Sequence, residues 1–181
     1  MDRCRRVLVL GGARSGKSRY AHWLGEESGR ERVLVATAQA LDSEMRERID
    51  RHRAERGGTW RTREVPIALP EVLATETGPD RIVLVDCLTL WLANIVLAGT
   101  DPERAAADLV RSIAEAAGPL VVVSNEVGQG IVPATPLGRA FRDVHGRLNQ
   151  QVASACEAVV LVVAGCPALM KPGAAPALSL A

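Results

Sequence analysis

Short apolar runs alternate along the chain with longer segments whose apolar residues recur at helical spacing. Five runs rich in Val, Leu and Ile predict five strands: 7–10, 32–37, 81–86, 120–124 and 159–163. Apolar runs without polar alternation are typical of parallel strands, because both faces of such a sheet are covered. The alternation of strands with helical segments predicts an α/β fold, a mainly parallel sheet with helices on both faces.

Three helical segments follow recognisable signals. One covers 18–28, directly after the first strand. A second covers the charged residues 43–56 after Asp42, and a third covers 103–117 after Asp101 and Pro102. Because Asp is a favoured N-cap and Pro fits the first helical turn, these residues predict where the second and third helices begin.

The turn between the first strand and the first helix carries a distinct chemical pattern. Its eight residues fit GxxxxGK[ST] at every fixed position: Gly11, Gly12, Ala13, Arg14, Ser15, Gly16, Lys17 and Ser18. Glycines allow backbone N–H groups to turn toward a polyanion, Lys17 reaches the β- and γ-phosphates, and the Ser18 hydroxyl can bind Mg²⁺. The positive end of the following helix faces the same phosphates. The pattern predicts a P-loop NTPase-type fold that binds a nucleoside triphosphate.

Asp86 ends the third apolar run and has two interpretations. As a Walker B carboxylate, it would lie at the edge of the sheet beside the P-loop and reach Mg²⁺ directly or through water. As a helix cap, it would bind the N-terminus of a helix that begins near Leu88. Both interpretations stay open on the sequence alone.

Composition predicts one compact domain. The chain has 181 residues, of which 48% are hydrophobic, and we assign 1–171 to one nucleotide-binding domain and 172–181 to a mobile tail. A net charge of +1 and an aromatic content of 3% argue against nucleic acid as the main partner. The first apolar run is too short for a signal peptide or a membrane span, so we expect a cytoplasmic protein. The four cysteines lack metal-site spacing and are expected to be reduced and mostly buried.

The charged segment 42–56 contains His52 among arginines. At helical spacing, His52 and Arg56 share a stripe with Met45 and Ile49, and Arg48 and Arg53 lie beside it. Guanidinium groups suit an anionic phosphate and favour a neutral, nucleophilic imidazole. The alternative is a solvated helix with an incidental histidine, and spacing alone favours that alternative.

Six segments together resemble a known family. They are GGARSGKS, ATAQALDSEMRERIDRHRAER, WRTRE at 60–64, VDCLTLWLAN at 85–94, SNEVGQGIVP at 124–133 and FRDVHGRLNQ at 141–150. In this order, from about Val7 to Lys171, the chain is similar to the adenosylcobinamide kinase/adenosylcobinamide-phosphate guanylyltransferase family of cobalamin biosynthesis. The resemblance implies phosphorylation of the aminopropanol hydroxyl of adenosylcobinamide. It further implies transfer of GMP from GTP, through a histidine, to the new phosphate to give adenosyl-GDP-cobinamide.

The resemblance also implies roles for single residues. His52 corresponds to the guanylylated histidine and, with Lys17, is the predicted catalytic pair. Besides the P-loop, the implied nucleotide contacts are Ala36, Thr37, Ala38, Arg53, Ala54, Glu55, Arg56, Glu64 and Asp86. Ser18 and Asp86 are the predicted Mg²⁺ ligands. ATP and GTP are the implied co-substrates, the corrinoid is the small-molecule partner, and a homo-oligomer, specifically a trimer, is expected.

Several alternatives remain open. A P-loop kinase for another small metabolite would leave His52 and the 124–133 segment unexplained, and a nucleotide-binding module would perform no group transfer. His22 and His145 are substitutes for His52 only if it fails, since packing or surface positions suit them better. We expect Asn125, Glu126 and the glycine-containing residues 127–130 to lie near the corrinoid or at a subunit contact, with a structural turn as the alternative. No residue clearly qualifies as the base of the kinase step.

Overall fold

The computed structural model of the chain describes residues 4–40, 43, 46, 47 and 57–173. Within this part of the chain, seven strands form one sheet: β1 Arg6–Gly11, β2 Glu31–Ala36, β3 Arg61–Glu64, β4 Arg81–Asp86, β5 Leu120–Asn125, β6 Ala158–Val163 and β7 Cys166–Lys171. The α-helices are α1 Lys17–Glu27, α2 Leu69–Glu76, α3 Leu88–Leu97, α4 Pro102–Ala114 and α5 Pro136–Ala155. Two short 3-10 helices cover Gly57–Thr59 and Val127–Gln129.

The strands lie in the order β3-β2-β4-β5-β1-β6-β7. Every neighbouring pair is parallel except β6 and β7, which form an antiparallel hairpin at one edge. The predicted α/β class and mainly parallel sheet are therefore confirmed. Strand β5 separates β1 from β4, so the strand leading to the P-loop and the strand ending in Asp86 are not adjacent.

Alternate residues of β1, β2, β4, β5 and β6 enter two separate hydrophobic cores. Leu8, Val83 and Val122 pack in one core against α2, α3, α4 and α5. Val9 and Leu84, each one residue further along its strand, pack on the other face with residues of α1 and with Trp60. Because both faces are buried, the central strands need apolar residues at consecutive positions, which explains the uninterrupted runs in the sequence.

Five of the seven strands are those predicted from the apolar runs, with boundaries that shift by at most one residue. The two that the sequence analysis missed, β3 and β7, both lie at edges of the sheet. All four residues of β3 are exposed, and β7 is exposed along most of its length. An edge strand that contributes little to the core leaves no apolar run to detect.

Two of the predicted helix starts have different outcomes. Asp101 caps α4 by accepting hydrogen bonds from the backbone N–H groups of Glu103, at 3.0 Å, and Arg104, at 3.5 Å, so that prediction is confirmed. Asp42 and most of the 43–56 segment lie outside the described residues, as do 174–181 of the expected tail.

Two further expectations concern cysteines and membranes. Cys87 and Cys156 are buried thiols, whereas Cys4 is half-buried and Cys166 is exposed, so the expectation of mostly buried cysteines holds for two of the four. Among the helices in the described part of the chain, none combines the length and apolar character that a bilayer crossing requires.

Candidate active site

The P-loop joins the end of β1 to the start of α1. Gly11 has no room for a side chain, because a Cβ there would lie 2.4 Å from Ser15 Oγ and 2.7 Å from Val162 O. Gly16 has a φ of +94°, in the left-handed region that favours glycine, and Arg14 also has a positive φ of 55°. Left-handed residues within a turn direct backbone N–H groups into a concavity that binds anions. The loop therefore has the backbone shape of a phosphate site.

Lys17 and Ser15 have buried side chains inside this loop. The Lys17 ammonium donates to the Gly12 carbonyl at 3.0 Å, which holds it over the start of the loop. Ser15 Oγ is buried and has no hydrogen-bond partner among the described residues, while Ser15 O accepts from Gly165 N at 2.8 Å. The turn between β6 and β7 thus supports the loop from outside. The unsatisfied hydroxyl fits a loop that receives a polar ligand.

Asp86 lies at the C-terminal end of β4, in register with Val123 of β5, which is itself in register with Val9 of β1. The residue before α3 is Cys87, and α3 has no side-chain hydrogen bond at its N-cap. The helix-cap interpretation of Asp86 is therefore wrong for this structure. Burial raises the pKa of the neighbouring Cys87 thiol to about 11, so this thiol is neutral near pH 7.

Thr37 follows β2 and is fully buried. Its hydroxyl donates to Cys87 O at 2.7 Å and accepts from Cys87 N at 2.9 Å, and its carbonyl accepts from Asn94 Nδ2 at 2.8 Å. The Thr37 side chain is therefore committed to holding the residue after Asp86 against the end of β2. A nucleotide contact in this segment would fall to the half-buried Ala36 and Ala38 instead.

Glu64 ends β3 in the same row of the sheet. Its register partner on β2 is Ala36, and the partner of Ala36 on β4 is Asp86. Because all three strands are parallel, these residues share the C-terminal edge with the P-loop. The structure thus brings the P-loop, the Ala36–Ala38 segment, Glu64 and Asp86 to one edge. Arg48, His52, Arg53, Ala54, Glu55 and Arg56 lie outside the described residues.

A buried polar network lies at the same edge, and the sequence analysis missed it. Thr89 Oγ1 accepts hydrogen bonds from Asn125 N at 3.0 Å and from Asn125 Nδ2 at 2.9 Å. The same hydroxyl lies 3.0 Å from His145 Nε2. Asn149 accepts from Ser124 Oγ at 2.7 Å and donates to the Asn125 carbonyl at 3.0 Å. Three of the family-like segments, 85–94, 124–133 and 141–150, therefore meet in one network.

His145 is fully buried in this network, which makes it unsuitable as a nucleophile. Burial lowers the pKa of His145 to about 4, so the ring is neutral near pH 7. Both acceptor positions of Thr89 Oγ1 are filled by Asn125, so the hydroxyl proton is the group that points to His145 Nε2. The expectation that His145 occupies a packing position is met. His22 packs edge-on against Trp60, with ring centroids 4.9 Å apart.

Comparison with known proteins identifies the family. The family model described as cobinamide kinase / cobinamide phosphate guanyltransferase matches residues 7–170. The chain belongs to this family. The bifunctional adenosylcobalamin biosynthesis protein CobP of Pseudomonas aeruginosa is 48% identical over 169 residues, covering 92% of this chain and 97% of that protein. CobU of Escherichia coli is 41% identical over 174 residues, covering 88% and 96%.

Solved structures also share the fold of this member of the cobinamide kinase/guanyltransferase family. Their sequences are more distant from this chain than those of CobP and CobU. The flagellar accessory protein FlaH of Methanocaldococcus jannaschii has a TM-score of 0.50 and 11% identity, covering 92% of this chain and 78% of FlaH. An ATPase from a type III secretion system of pathogenic bacteria has a TM-score of 0.52 and 13% identity, covering 87% of this chain and 50% of the ATPase. At these identities the similarity shows the fold alone.

Proposed function

We propose that this chain phosphorylates adenosylcobinamide and then transfers GMP from GTP to adenosylcobinamide phosphate through His52. The observation that carries the proposal is the family match over residues 7–170 of a chain whose P-loop has the backbone shape of a phosphate site. The relatives CobP and CobU are named as bifunctional proteins of adenosylcobalamin biosynthesis. Two group transfers on one corrinoid account for both the P-loop and the histidine.

The phosphorylation step uses the P-loop. Lys17 and the backbone N–H groups before α1 bind the triphosphate, and the charge that develops on the leaving diphosphate is stabilised by the same groups. The substrate hydroxyl attacks the γ-phosphorus, the bond to the β–γ bridging oxygen breaks, and the nucleoside diphosphate leaves. Catalysis of this kind depends mainly on positioning and electrostatics, which a rigid loop between a buried strand and a helix provides.

Guanylyl transfer uses His52 as the nucleophile. An imidazole nitrogen attacks the α-phosphorus of GTP, the α–β phosphoanhydride bond breaks, and pyrophosphate leaves. The phosphate of the acceptor then displaces His52 from the GMP group, which restores the free imidazole. Arginines close in sequence, Arg48, Arg53 and Arg56, supply positive charge for the α-phosphoryl oxygens. This assignment is supported by the sequence and by family membership.

The residues at the P-loop edge fit Mg²⁺. The Ser18 hydroxyl, at the start of α1, and the Asp86 carboxylate, at the end of β4, are the hard oxygen donors that this ion prefers. In nucleotide sites Mg²⁺ is held by one or two carboxylates together with substrate phosphates and water, so a single carboxylate and a hydroxyl suffice. The ion would neutralise charge on the triphosphate. We expect Asp86→Asn to shift the Mg²⁺ titration of activity to higher concentration and to change metal-free nucleotide binding less.

Covalent labelling tests the proposal. The protein is incubated with α-³²P-GTP and Mg²⁺, denatured, and digested. A phosphoramidate is labile in acid and comparatively stable in alkali, so we expect label that survives base, is lost in mild acid, and maps to the peptide containing His52. His52→Ala should abolish the label and guanylyl transfer while phosphorylation of adenosylcobinamide persists.

His22→Ala serves as the matched histidine control, since His22 packs against Trp60 and should label like the parent protein. Equal labelling of the His52→Ala variant would overturn the nucleophile assignment. Phosphorylation without any covalent label in the parent protein would indicate a P-loop kinase that performs no guanylyl transfer. Nucleotide binding without either transfer would indicate a binding module.

We further propose a cytoplasmic homo-oligomer, with a trimer as the specific expectation. An exposed apolar surface before and at the start of α5 supports self-association: Ile131 is 98% exposed, and Val132 and Leu137, the latter in the first turn of α5, are also exposed. Light scattering of the parent protein and of Ile131→Asp gives the test. A trimer that dissociates in the variant is the expected result, and a monomeric parent protein would contradict it.

A further inference from the structure

The turn after β5 places a carboxylate next to the P-loop. Glu126 N donates to Gly11 O at 3.1 Å, so the residue lies directly beside the first glycine of the loop. Asn125, the last residue of β5, is the register partner of Gly11. Because β5 lies between β1 and β4, residues 125 and 126 stand between the P-loop and the strand that ends in Asp86. This is the edge of the sheet at which ligands bind in α/β folds.

Asn125 and Glu126 are held in place at several atoms. Thr89 binds the backbone N–H and the side-chain amide of Asn125, and Asn149 binds its carbonyl. Asn149 Nδ2 also donates to Glu126 Oε1 at 3.3 Å. Asn149 is itself held by Ser124, and Thr89 by the buried ring of His145. A fixed turn of this kind positions the carboxylate with little loss of entropy on ligand binding.

The carboxylate itself is not explained by packing. Glu126 is half-buried, and within the described part of the chain no arginine or lysine forms an ion pair with it. Its other oxygen, Oε2, makes no hydrogen bond to a described residue. A structural turn would be satisfied by Gln, Asn or Gly at this position, since the main chain makes the contact with Gly11. A carboxylate that is held beside the P-loop and forms no ion pair with a described arginine or lysine suits proton transfer better than it suits stability.

We propose that Glu126 is the catalytic carboxylate of the phosphorylation step, and that Thr89, His145 and Asn149 are its positioning residues. The inference rests on the kinase activity proposed above. The O–H bond of the acceptor alcohol breaks and its proton passes to Glu126. The oxygen forms a bond to the γ-phosphorus, and the bond between that phosphorus and the β–γ bridging oxygen breaks. The nucleoside diphosphate leaves with the electron pair.

Guanylyl transfer does not require a carboxylate that takes a proton from the nucleophile. The nucleophile in its first half is an imidazole, and the nucleophile in its second half is a phosphate that is already ionised. Glu126 should therefore serve one of the two reactions, and the other becomes an internal control for folding and nucleotide binding.

The test is Glu126→Gln, which keeps the size of the side chain and an oxygen for Asn149. We expect kcat for adenosylcobinamide phosphorylation to fall about 10²-fold with the KM for ATP unchanged. Covalent labelling by α-³²P-GTP and passage of the label to supplied adenosylcobinamide phosphate should stay within about twofold of the parent protein. Glu115→Gln, at an exposed position just after α4, is the matched control and should change neither reaction.

Thr89 variants test the positioning role. Thr89→Val removes the hydroxyl that holds Asn125, and we expect kcat for phosphorylation to fall with the KM for ATP unchanged, whereas Thr89→Ser should restore most of the rate. Phosphorylation by Glu126→Gln within about threefold of the parent, or a parallel loss of labelling, would overturn the proposal. A parent protein that performs neither phosphorylation nor labelling would instead overturn the proposed function itself.

Discussion

The two ends of the parallel sheet hold their polar groups in different ways. At the N-terminal ends of the strands, charges are paired: Arg6 of β1 with Glu157 before β6, and Arg61 of β3 and Arg81 of β4 with Glu76 of α2. At the C-terminal ends, neutral hydrogen bonds with Thr37, Thr89 and Asn149 fix the backbone after β4 and at the end of β5. The carboxylates of Asp86 and Glu126 form no ion pair with any described residue there.

The two ends of the sheet therefore have different roles, one in folding stability and the other in the reactions. Paired charges satisfy one another and leave no capacity for a ligand, so the N-terminal end contributes to folding. A binding site needs charges that a substrate can complete, and its backbone must be fixed without using them. At the C-terminal end the backbone is fixed in this way by the network of uncharged side chains, Thr89, Ser124, Asn125, His145 and Asn149. Substitutions at the two ends should therefore have separable effects on activity and stability.

The largest expected effect is the loss of activity when Lys17, one of the two lysines of the chain, is replaced. Lys17→Ala removes the cation at the triphosphate and should lower kcat/KM for phosphorylation and for guanylyl labelling together, each about 10²–10³-fold. Lys171, which donates to Ala153 O at 2.9 Å and Cys156 O at 2.6 Å near the end of α5, is the matched control. Lys171→Ala should leave both activities unchanged per folded molecule.

Steady-state assays and labelling on the same preparations measure this. If Lys17→Ala kept one reaction at the parent rate, the two reactions would use separate nucleotide sites. The C-terminal ends of the strands would then not hold one site that serves both.

A second effect is on acid stability, through His145. Its folded pKa of about 4 lies below the ordinary value of 6.5, so the unfolded chain binds more protons. The contribution is fully present above pH 6.5 and is lost as the pH falls toward 4, in total about 3 kcal/mol of the free energy of unfolding. Urea denaturation at pH 7 and pH 4.5 measures it. His145→Gln should reduce the difference between the two pH values, and an unchanged difference would assign the acid sensitivity elsewhere.

A third and smaller effect belongs to the opposite end of the sheet. Glu76 is 9% exposed, and its hydrogen bond with Arg61 lowers the pKa of the carboxyl below 4.5. The ionised Glu76 carboxylate stabilises the folded protein above pH 4.5. This stabilisation is lost as the pH falls through the lowered pKa of the folded state. Glu76→Gln should reduce the free energy of unfolding by about 2 kcal/mol, between the values for exposed and buried pairs, because the arginines are partly exposed.

Chemical denaturation at pH 7 checks the size of this effect, and the kinetics of both reactions should match those of the parent protein. Glu71→Gln, at an exposed position of the same helix, is the control. A loss of activity larger than the loss of folded protein would show that the N-terminal end is coupled to the active site.

The sequence was sufficient for the central part of this architecture. Strands buried on both faces require continuous apolar residues, so β1, β2, β4, β5 and β6 could be predicted from the apolar runs alone. The P-loop could be predicted because its pattern is local, with Gly16 needed for a left-handed φ and Lys17 placed next to it. Family resemblance added the two reactions, and the family match confirms that assignment.

Other features depend on contacts between distant segments. Thr89 and His145 are 56 residues apart in the chain, and Ser124 and Asn149 are 25 apart, so no local pattern indicates that they share hydrogen bonds. A usable signal was the helical spacing of His145 and Asn149, which places two polar side chains on one face of α5. The edge strands β3 and β7 were missed because their side chains are exposed and obey no burial pattern.

The position of β1 has a consequence for how the protein is made. This strand is synthesised first, but both of its neighbours, β5 and β6, and the Gly165 contact to the P-loop come from the later half of the chain. A nascent polypeptide on the ribosome therefore carries the complete GxxxxGKS sequence long before the loop can adopt its shape. Affinity for nucleotide should therefore arise only after the β6–β7 hairpin, which carries Gly165, has left the exit tunnel.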